Sequence, residues 1–547
     1  MKHSLPACGF ALLLLTAAAD EGMWLFNQPP RDRLREQHHF DASDAWLNHL
    51  QKSSVRFNVG GSASFVSEDG LLISNHHIGS DALQKLSTKE RNLPRDGFYA
   101  RTPADELKCL DVEINVLQSI EDVTARVNAA VAKDVDAATA FAARRAVIAT
   151  IEKESLDQTG LRSDVVTLWQ GGAYHLYRYK CYTDVRLVFA PEQQIAFYGG
   201  DPDNFEFPRY DLDICLFRAY ENGKPARTKN FLKFSPKGAG EGDLVFVSGH
   251  PGHTSRLLTL DELHDLRDRA LPVRLNRLKR LEVLLGSWSE RSQENARRAR
   301  NSLFSVQNAR KALDGRLSGL LDPSLLAAKA DAEMQFKSRL NNAPEFADAT
   351  AAYGKIAEAT RILAAQAQRY DLLEGGQAFS SESFGIARTL LRAAEEFSKP
   401  NGDRLREFAD AGRKSLELGL FSTRPIYTDL EILQLTDSLT FLANQLGADD
   451  PLVRQVFAGK SPQERAVELI NNTRVRDVDF RHRLYDGGTD AIAAANDPMI
   501  DLARLVDTES RKLRQVAEEQ GEMKHQAHAA IARARNALLG TSGYPDA

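Results

Sequence analysis

In the stretch LLISNHHIGSDALQ (residues 71–84) an apolar run gives way to two adjacent histidines, His76 and His77. An imidazole titrates near neutrality and serves either as a general base or as a metal ligand. Adjacent residues on a strand point to opposite faces, so two histidines at a strand end do not converge on one metal. The bland alternative is a pair of ordinary polar residues at a strand end. An imidazole that acts as a base needs a carboxylate to hold its tautomer and a nucleophile to deprotonate.

The carboxylate is sought in YGGDPDNFEFPRYDLDICLFRAY (residues 198–220). Asp213 opens an apolar strand there, with Ile214 and Leu216 as anchors. Its competitors Asp201, Asp203 and Asp211 sit in a Gly- and Pro-rich loop, where solvated or capping roles are the simpler reading. Asn204, taken alone, reads as a turn residue. The nucleophile is harder to find. Ser542 lies in GTSGYP (residues 540–545), too close to the last residue for strands to follow it, and Ser248 in VSGHPG (residues 247–252) reads as a strand-to-turn piece.

These residues must be held by elements, and the chain has two textures. From about residue 55 to 258, short β-branched runs alternate with turn signals. Residues 64–67 and 71–74 flank Glu68-Asp69-Gly70 and predict a hairpin closed at Asp-Gly. Further strands are predicted at 184–189, 213–218 and 243–247, with a helical segment at 122–157. From about 261 to 539 the pattern becomes Ala, Leu, Arg and Glu in helical spacing, broken at Asp322-Pro323 and Lys399-Pro400-Asn401-Gly402. One helix is expected to run from about Leu502 towards Leu539. No repeat of fixed period is present.

The length of 547 residues suggests about three domain-sized units. A basic start, an apolar core at 10–15 and small residues up to Ala19 read as an export signal cleaved after Ala19. No later run is apolar enough for a membrane anchor, so a periplasmic or secreted location is expected. A hydrophobic content of 43%, a charged content of 27% and a net charge of −5 fit a globular chain and argue against a nucleic-acid binder. Arg-rich runs such as 297–300 read as solvated helix faces. Past the signal, Cys109, Cys181 and Cys215 allow one disulfide and leave one thiol over. There is no CxxC, metal-finger spacing or phosphate loop, so no metal and no cofactor are expected.

Four stretches together resemble the S46 family of serine peptidases, bacterial dipeptidyl aminopeptidases. They are DEGMW (20–24), GSASFVSEDGLLISNHH (61–77), DVRLVFAPEQQIAFYGGDPDNFEFPRYDLDICLFR (184–218) and GDLVFVSGHPGHTSR (242–256). The resemblance implies a chymotrypsin-like double β-barrel interrupted by a helical cap, an α+β fold. The expected division is a first barrel at 20–260, helices at 261–539, and the start of a truncated second barrel at 540–547. It implies His77 as general base, Asp213 as its orienting carboxylate, and Asn204 as the group that binds the free α-amine of a peptide substrate. Phe205 stands beside it where the family has Trp. Ile78 stands where the family has Cys, so no disulfide is expected there. The family's serine lies in its second barrel, and the expectation is that the nucleophile lies beyond this chain. The reaction implied is removal of dipeptides from a free N-terminus. The alternative is an inactive short form that binds peptides. A homodimer is also implied, and activity is expected to fall as His77 protonates, near or below an ordinary pKa of about 6.5.

Overall fold

The computed structural model describes residues 22–132, 134–252 and 254–540. The export signal expected at 1–19, Ser542 and all but the first residue of the 540–547 segment lie outside them.

The β-branched first part forms one antiparallel sheet of eleven strands. They are β1 (Ser54–Phe57), β2 (Ser62–Phe65), β3 (Leu71–Ser74), β4 (Phe98–Tyr99), β5 (Leu107–Lys108), β6 (Ile114–Asp122), β7 (Arg162–Leu168), β8 (Ala173–Tyr182), β9 (Asp184–Ala190), β10 (Cys215–Glu221) and β11 (Lys224–Pro225). The main path runs β4-β9-β10-β3-β2-β1-β6-β8-β7, with β11 on β10 and β5 on β9. The expected hairpin is β2–β3, with Ser64 opposite Ile73 and Gly70 at φ +76° in its turn. Strand β9 and the helical segment are also present, the latter as Thr124–Ala129 and Ala137–Thr159.

Two strand expectations change. The strand predicted at 213–218 begins at Cys215, leaving Asp213 just ahead of it. The strand predicted at 243–247 does not form. Val245 and Val247 are exposed there, while Phe246 lies against Phe40 and Trp46, with ring centroids 5.2 and 5.0 Å apart. A strand needs a neighbouring edge to satisfy its backbone, and none of the described strands pairs with these residues.

We label four helices: α1 (His76–Lys85), α2 (Ala137–Thr159), α3 (Gln293–Leu321) and α4 (Pro498–Leu539). Beyond Pro225 the described residues form no strand, and from Leu260 onward helices dominate. The structure is thus mixed, with a large antiparallel sheet and a larger helical part. Each has its own core: Phe65, Leu72, Leu83 and Phe217 in the sheet, and Leu390, Leu435, Leu439 and Ile500 among the helices. Helix α4, 42 residues long, returns to the sheet part. Its Glu522 pairs with Arg144 of α2 at 2.8 Å, and its His525 fills the space where a Cβ on Gly171 would stand 2.5 Å away.

Cys109, Cys181 and Cys215 are all free thiols, so the one disulfide that the cysteine count allowed is not formed among the described residues. Burial pushes Cys109 and Cys181 up to about 12, which keeps both protonated. No described helix is long and apolar enough to cross a membrane.

Candidate active site

The register of β3 on β10 builds the site. Cys215 lies opposite Ser74 and Leu216 opposite Ile73, so continuing the ladder brings Asp213 to the point where β3 ends and α1 begins. Both histidines therefore belong to the first turn of α1, with Asn75 as N-cap, and not to the strand end that the alternation argument assumed. Both side chains line the same cavity but differ in exposure. His76 is 4% exposed, and the His77 side chain is 46% exposed.

Asp213 holds this turn by three hydrogen bonds to its carboxylate. His77 Nδ1 lies 2.6 Å from Oδ2, the His77 backbone N–H donates to Oδ1 at 3.0 Å, and Asn75 Nδ2 donates to Oδ2 at 3.1 Å. Asn75 makes no side-chain cap of its own. Asp213 supplies the acceptor from just ahead of the neighbouring strand, and its charge suits the positive end of a helix. Burial raises the Asp213 pKa, but the hydrogen bonds from His77 and Asn75 outweigh it and the net shift is downward. An ionised carboxylate only accepts, so Nδ1 is the donor, and in the neutral form of the ring the lone pair lies on Nε2. No described residue bonds to Nε2. Burial lowers the His76 pKa, so that ring stays neutral.

Close packing sets the height of α1 on the sheet. A Cβ on Gly79 would stand 2.7 Å from Cys215 Sγ and 3.1 Å from the Phe217 ring. A Cβ on Gly61, at φ +96°, would meet Ile78, which packs against the sheet core in the place where the resemblance puts Cys.

His77 and Asp213 open on a cavity of about 350 Å³, also lined by Asn204, Phe205, Arg209, Arg300, Phe304 and Asn308. Asn204 is 9% exposed. Its Nδ2 donates to Asn308 Oδ1 at 3.1 Å, and its Oδ1 accepts from Arg209 Nη1 at 3.1 Å. Phe205 is 62% exposed with φ at +63°. The competing carboxylates are engaged elsewhere: Asp201 with Arg310 at 3.1 Å and Asp211 with Arg209 at 2.9 Å, while Asp203 is exposed. Ser80, the described serine that lines the cavity, donates to the His77 backbone carbonyl at 3.0 Å and not to its ring. Ser248 is bonded to Ser54 at 3.1 Å and does not line the cavity. Among the described residues no group of three or more His, Cys, Asp or Glu side chains could hold a metal.

Sequence reasoning missed the helical wall. Arg300, Phe304 and Asn308 recur every four residues on α3 and face the cavity as one stripe. Arg300 sits within the Arg-rich run that had read as a solvated face. The spacing was visible, but which side of α3 meets the sheet was not.

A carboxylate-oriented imidazole on an antiparallel sheet, under a helical wall, is the framework of a serine-type hydrolase. The chain belongs to the peptidase S46 family, whose model matches residues 19–547. It is 28% identical over 529 residues to the Asp/Glu-specific dipeptidyl-peptidase of Shewanella putrefaciens, covering 91% of this chain and 70% of that protein. With dipeptidyl-peptidase 7 of Capnocytophaga gingivalis it shares 32% identity over 271 residues, 46% of this chain and 38% of that one. The fold is similar to that of Porphyromonas endodontalis DPP11 in complex with the dipeptide Arg-Glu, at a TM-score of 0.74 and 23% identity, across 96% of this chain and 78% of that chain.

Proposed function

We propose that the protein is a serine-type dipeptidyl aminopeptidase that releases dipeptides from the free N-terminus of peptides. The observation that carries this is the His77–Asp213 pair opening on the same cavity as Asn204, in a member of a peptidase family. His77 Nε2 takes the proton of a serine hydroxyl as it attacks the scissile carbonyl, and Asp213 stabilises the imidazolium that forms. His77 then returns the proton to the leaving amine, and water releases the dipeptide from the acyl-enzyme. No described serine bonds to the ring, so the nucleophile is taken to lie outside the described residues. The second lone pair of the Asn204 carbonyl and the Asn308 amide oxygen are the acceptors proposed for the substrate ammonium, and Phe205 flanks them. Closure of the cleft beyond the amine would set the two-residue register. No cofactor enters this reading.

The same reading divides the chain into a barrel-type part at 20–260, a helical cap at 261–539 and a second barrel beginning at 540–547. It has residues 1–19 removed on export to the periplasm or medium, and it includes a homodimer. The function is tested on enzyme that includes the serine-bearing segment, with a fluorogenic dipeptidyl substrate offered with a free or an acetylated N-terminus. Cleavage is expected only of the free form and is lost in His77→Ala. Equal cleavage of the acetylated form, or full activity without His77, would sink the assignment.

A further inference from the structure

Arg300 differs from every arginine around it in having no carboxylate. Arg297 is clamped by Glu294 at 2.7 Å, and Arg298 by Glu294 and Asp429 at 2.8 and 2.6 Å. Arg310 meets Glu282 at 2.5 Å, Arg209 meets Asp211 at 2.9 Å, and Arg95 meets Asp96 at 2.6 Å. The Arg300 guanidinium donates to the side-chain carbonyl of Gln193, and no described carboxylate lies within ion-pair distance of it. The charges that act on it are those of Arg297 and Arg95. Burial and these two like charges together lower its pKa.

The cavity offers Arg300 no internal relief. Its two lining carboxylates are committed, Asp213 to His77 and Asp211 to Arg209. His76, in the same lining, is neutral and has an Nε2 with no hydrogen-bond partner. A half-buried guanidinium without a counter-charge costs stability, and most of its five N–H donors remain for a planar anionic partner.

The order along α3 says where on a ligand that partner sits. Asn308 is bonded to Asn204, the proposed amine site. One turn back, Phe304 lies edge-on to Phe197 at 5.2 Å and forms an apolar wall. Arg300 follows after another turn, roughly 12 Å along the helix from Asn308 at 1.5 Å per residue. Both residues line the same cavity.

We infer that Arg300 is a specificity residue that receives an acidic side chain on the amino-terminal residue of the bound peptide. This rests on the amine being held at Asn204. The stem of a glutamate would lie along Phe304 and its carboxylate would meet the Arg300 fork.

Calorimetric titration of the full chain with three dipeptide amides tests this, since amidation removes the competing α-carboxylate. Glu-Leu-amide is expected to bind at least about tenfold more tightly than Gln-Leu-amide, the scale of one charge-assisted hydrogen bond. Arg300→Gln should erase that ratio and Arg300→Lys should keep part of it. If circular dichroism shows that Arg300→Gln does not fold, the lysine variant decides by whether the ratio narrows. Equal affinities in the unmodified protein, an unchanged ratio in Arg300→Gln, or a preference attached to Leu-Glu-amide would each overturn the inference. Binding of Gln-Leu-amide with no gain for glutamate would leave the amine site standing and remove only Arg300's role. Failure of all three amides to bind would overturn the amine site and this inference with it.

Discussion

The wall that carries His77 and Asp213 is built from sheet, and the wall that carries Arg300, Phe304 and Asn308 is built from one helix. They differ in how firmly each side chain is held. Strand register and three hydrogen bonds to one carboxylate over-determine His77. On α3, Arg300 has one amide oxygen and no counter-charge. Proton transfer tolerates little misplacement, and the pair proposed to react sits where the backbone ladder fixes it. Ligand selection tolerates more freedom, and an unsatisfied cation there becomes satisfied only when a suitable ligand arrives.

The strongest test of the rigid wall is Asp213→Asn. The amide can donate to Nδ1 and so favour the wrong tautomer. Turnover by the active enzyme should fall by about 10³–10⁴, read as kcat on a dipeptidyl substrate, with KM little changed. Near-normal kcat would mean that the carboxylate does not set the base.

Next in size is Gly79→Ala. Alanine is favoured over glycine in a helix interior by about 1 kcal/mol, but the added methyl would sit 2.7 Å from Cys215 Sγ. The clash should win, costing roughly 1–3 kcal/mol in thermal or denaturant unfolding. In a Cys215→Ala background the same change should cost much less. Equal costs in both backgrounds would show that α1 is not seated by this contact.

A smaller effect concerns pH. The Asp213 pKa is lower folded than unfolded, so its stabilising contribution is present above the ordinary carboxylate value of about 3.9. It is lost as pH falls through the depressed folded value. The Tm advantage of the unmodified protein over Asp213→Asn should therefore hold from pH 7 to about 5 and shrink below about 4. An advantage that grows on acidification would reverse the sign.

Smallest is Arg300→Met, which probes the helical wall. Removing a half-buried charge that has no partner should leave Tm unchanged or raise it slightly, whereas Arg297→Met should lower it by breaking the bond to Glu294. A marked loss of stability in Arg300→Met would mean that the fold, and not a ligand, uses this guanidinium.

Much of this architecture is legible in the chain because its causes are local. The Asp-Gly turn flanked by alternating residues dictates the β2–β3 hairpin, and the Ala- and Leu-rich pattern before Leu539 dictates α4. Residues 243–247 mislead for the same reason: β-propensity is local, but a strand exists only beside an edge. The histidines were placed at a strand end because the pattern does not say whether Asn75 closes the strand or caps a helix. In the site, His77, Asp213, Asn204 and Phe205 were found from motifs, while Arg300, Phe304 and Asn308 were not. They lie about a hundred residues further on, in a helix whose charged run resembles any solvated face.

By itself, then, the sequence determined the sheet-then-helix order, the hairpin, the long helices and the polar groups able to do acid–base chemistry. Each depends on neighbours a few positions away. Only the tertiary structure decided that Asp213 meets a histidine 136 residues distant, that three cysteines stay apart as thiols, and that one arginine of a charged run lacks a counter-ion. Those outcomes depend on register between remote strands and on which charges burial brings together. No local pattern encodes either.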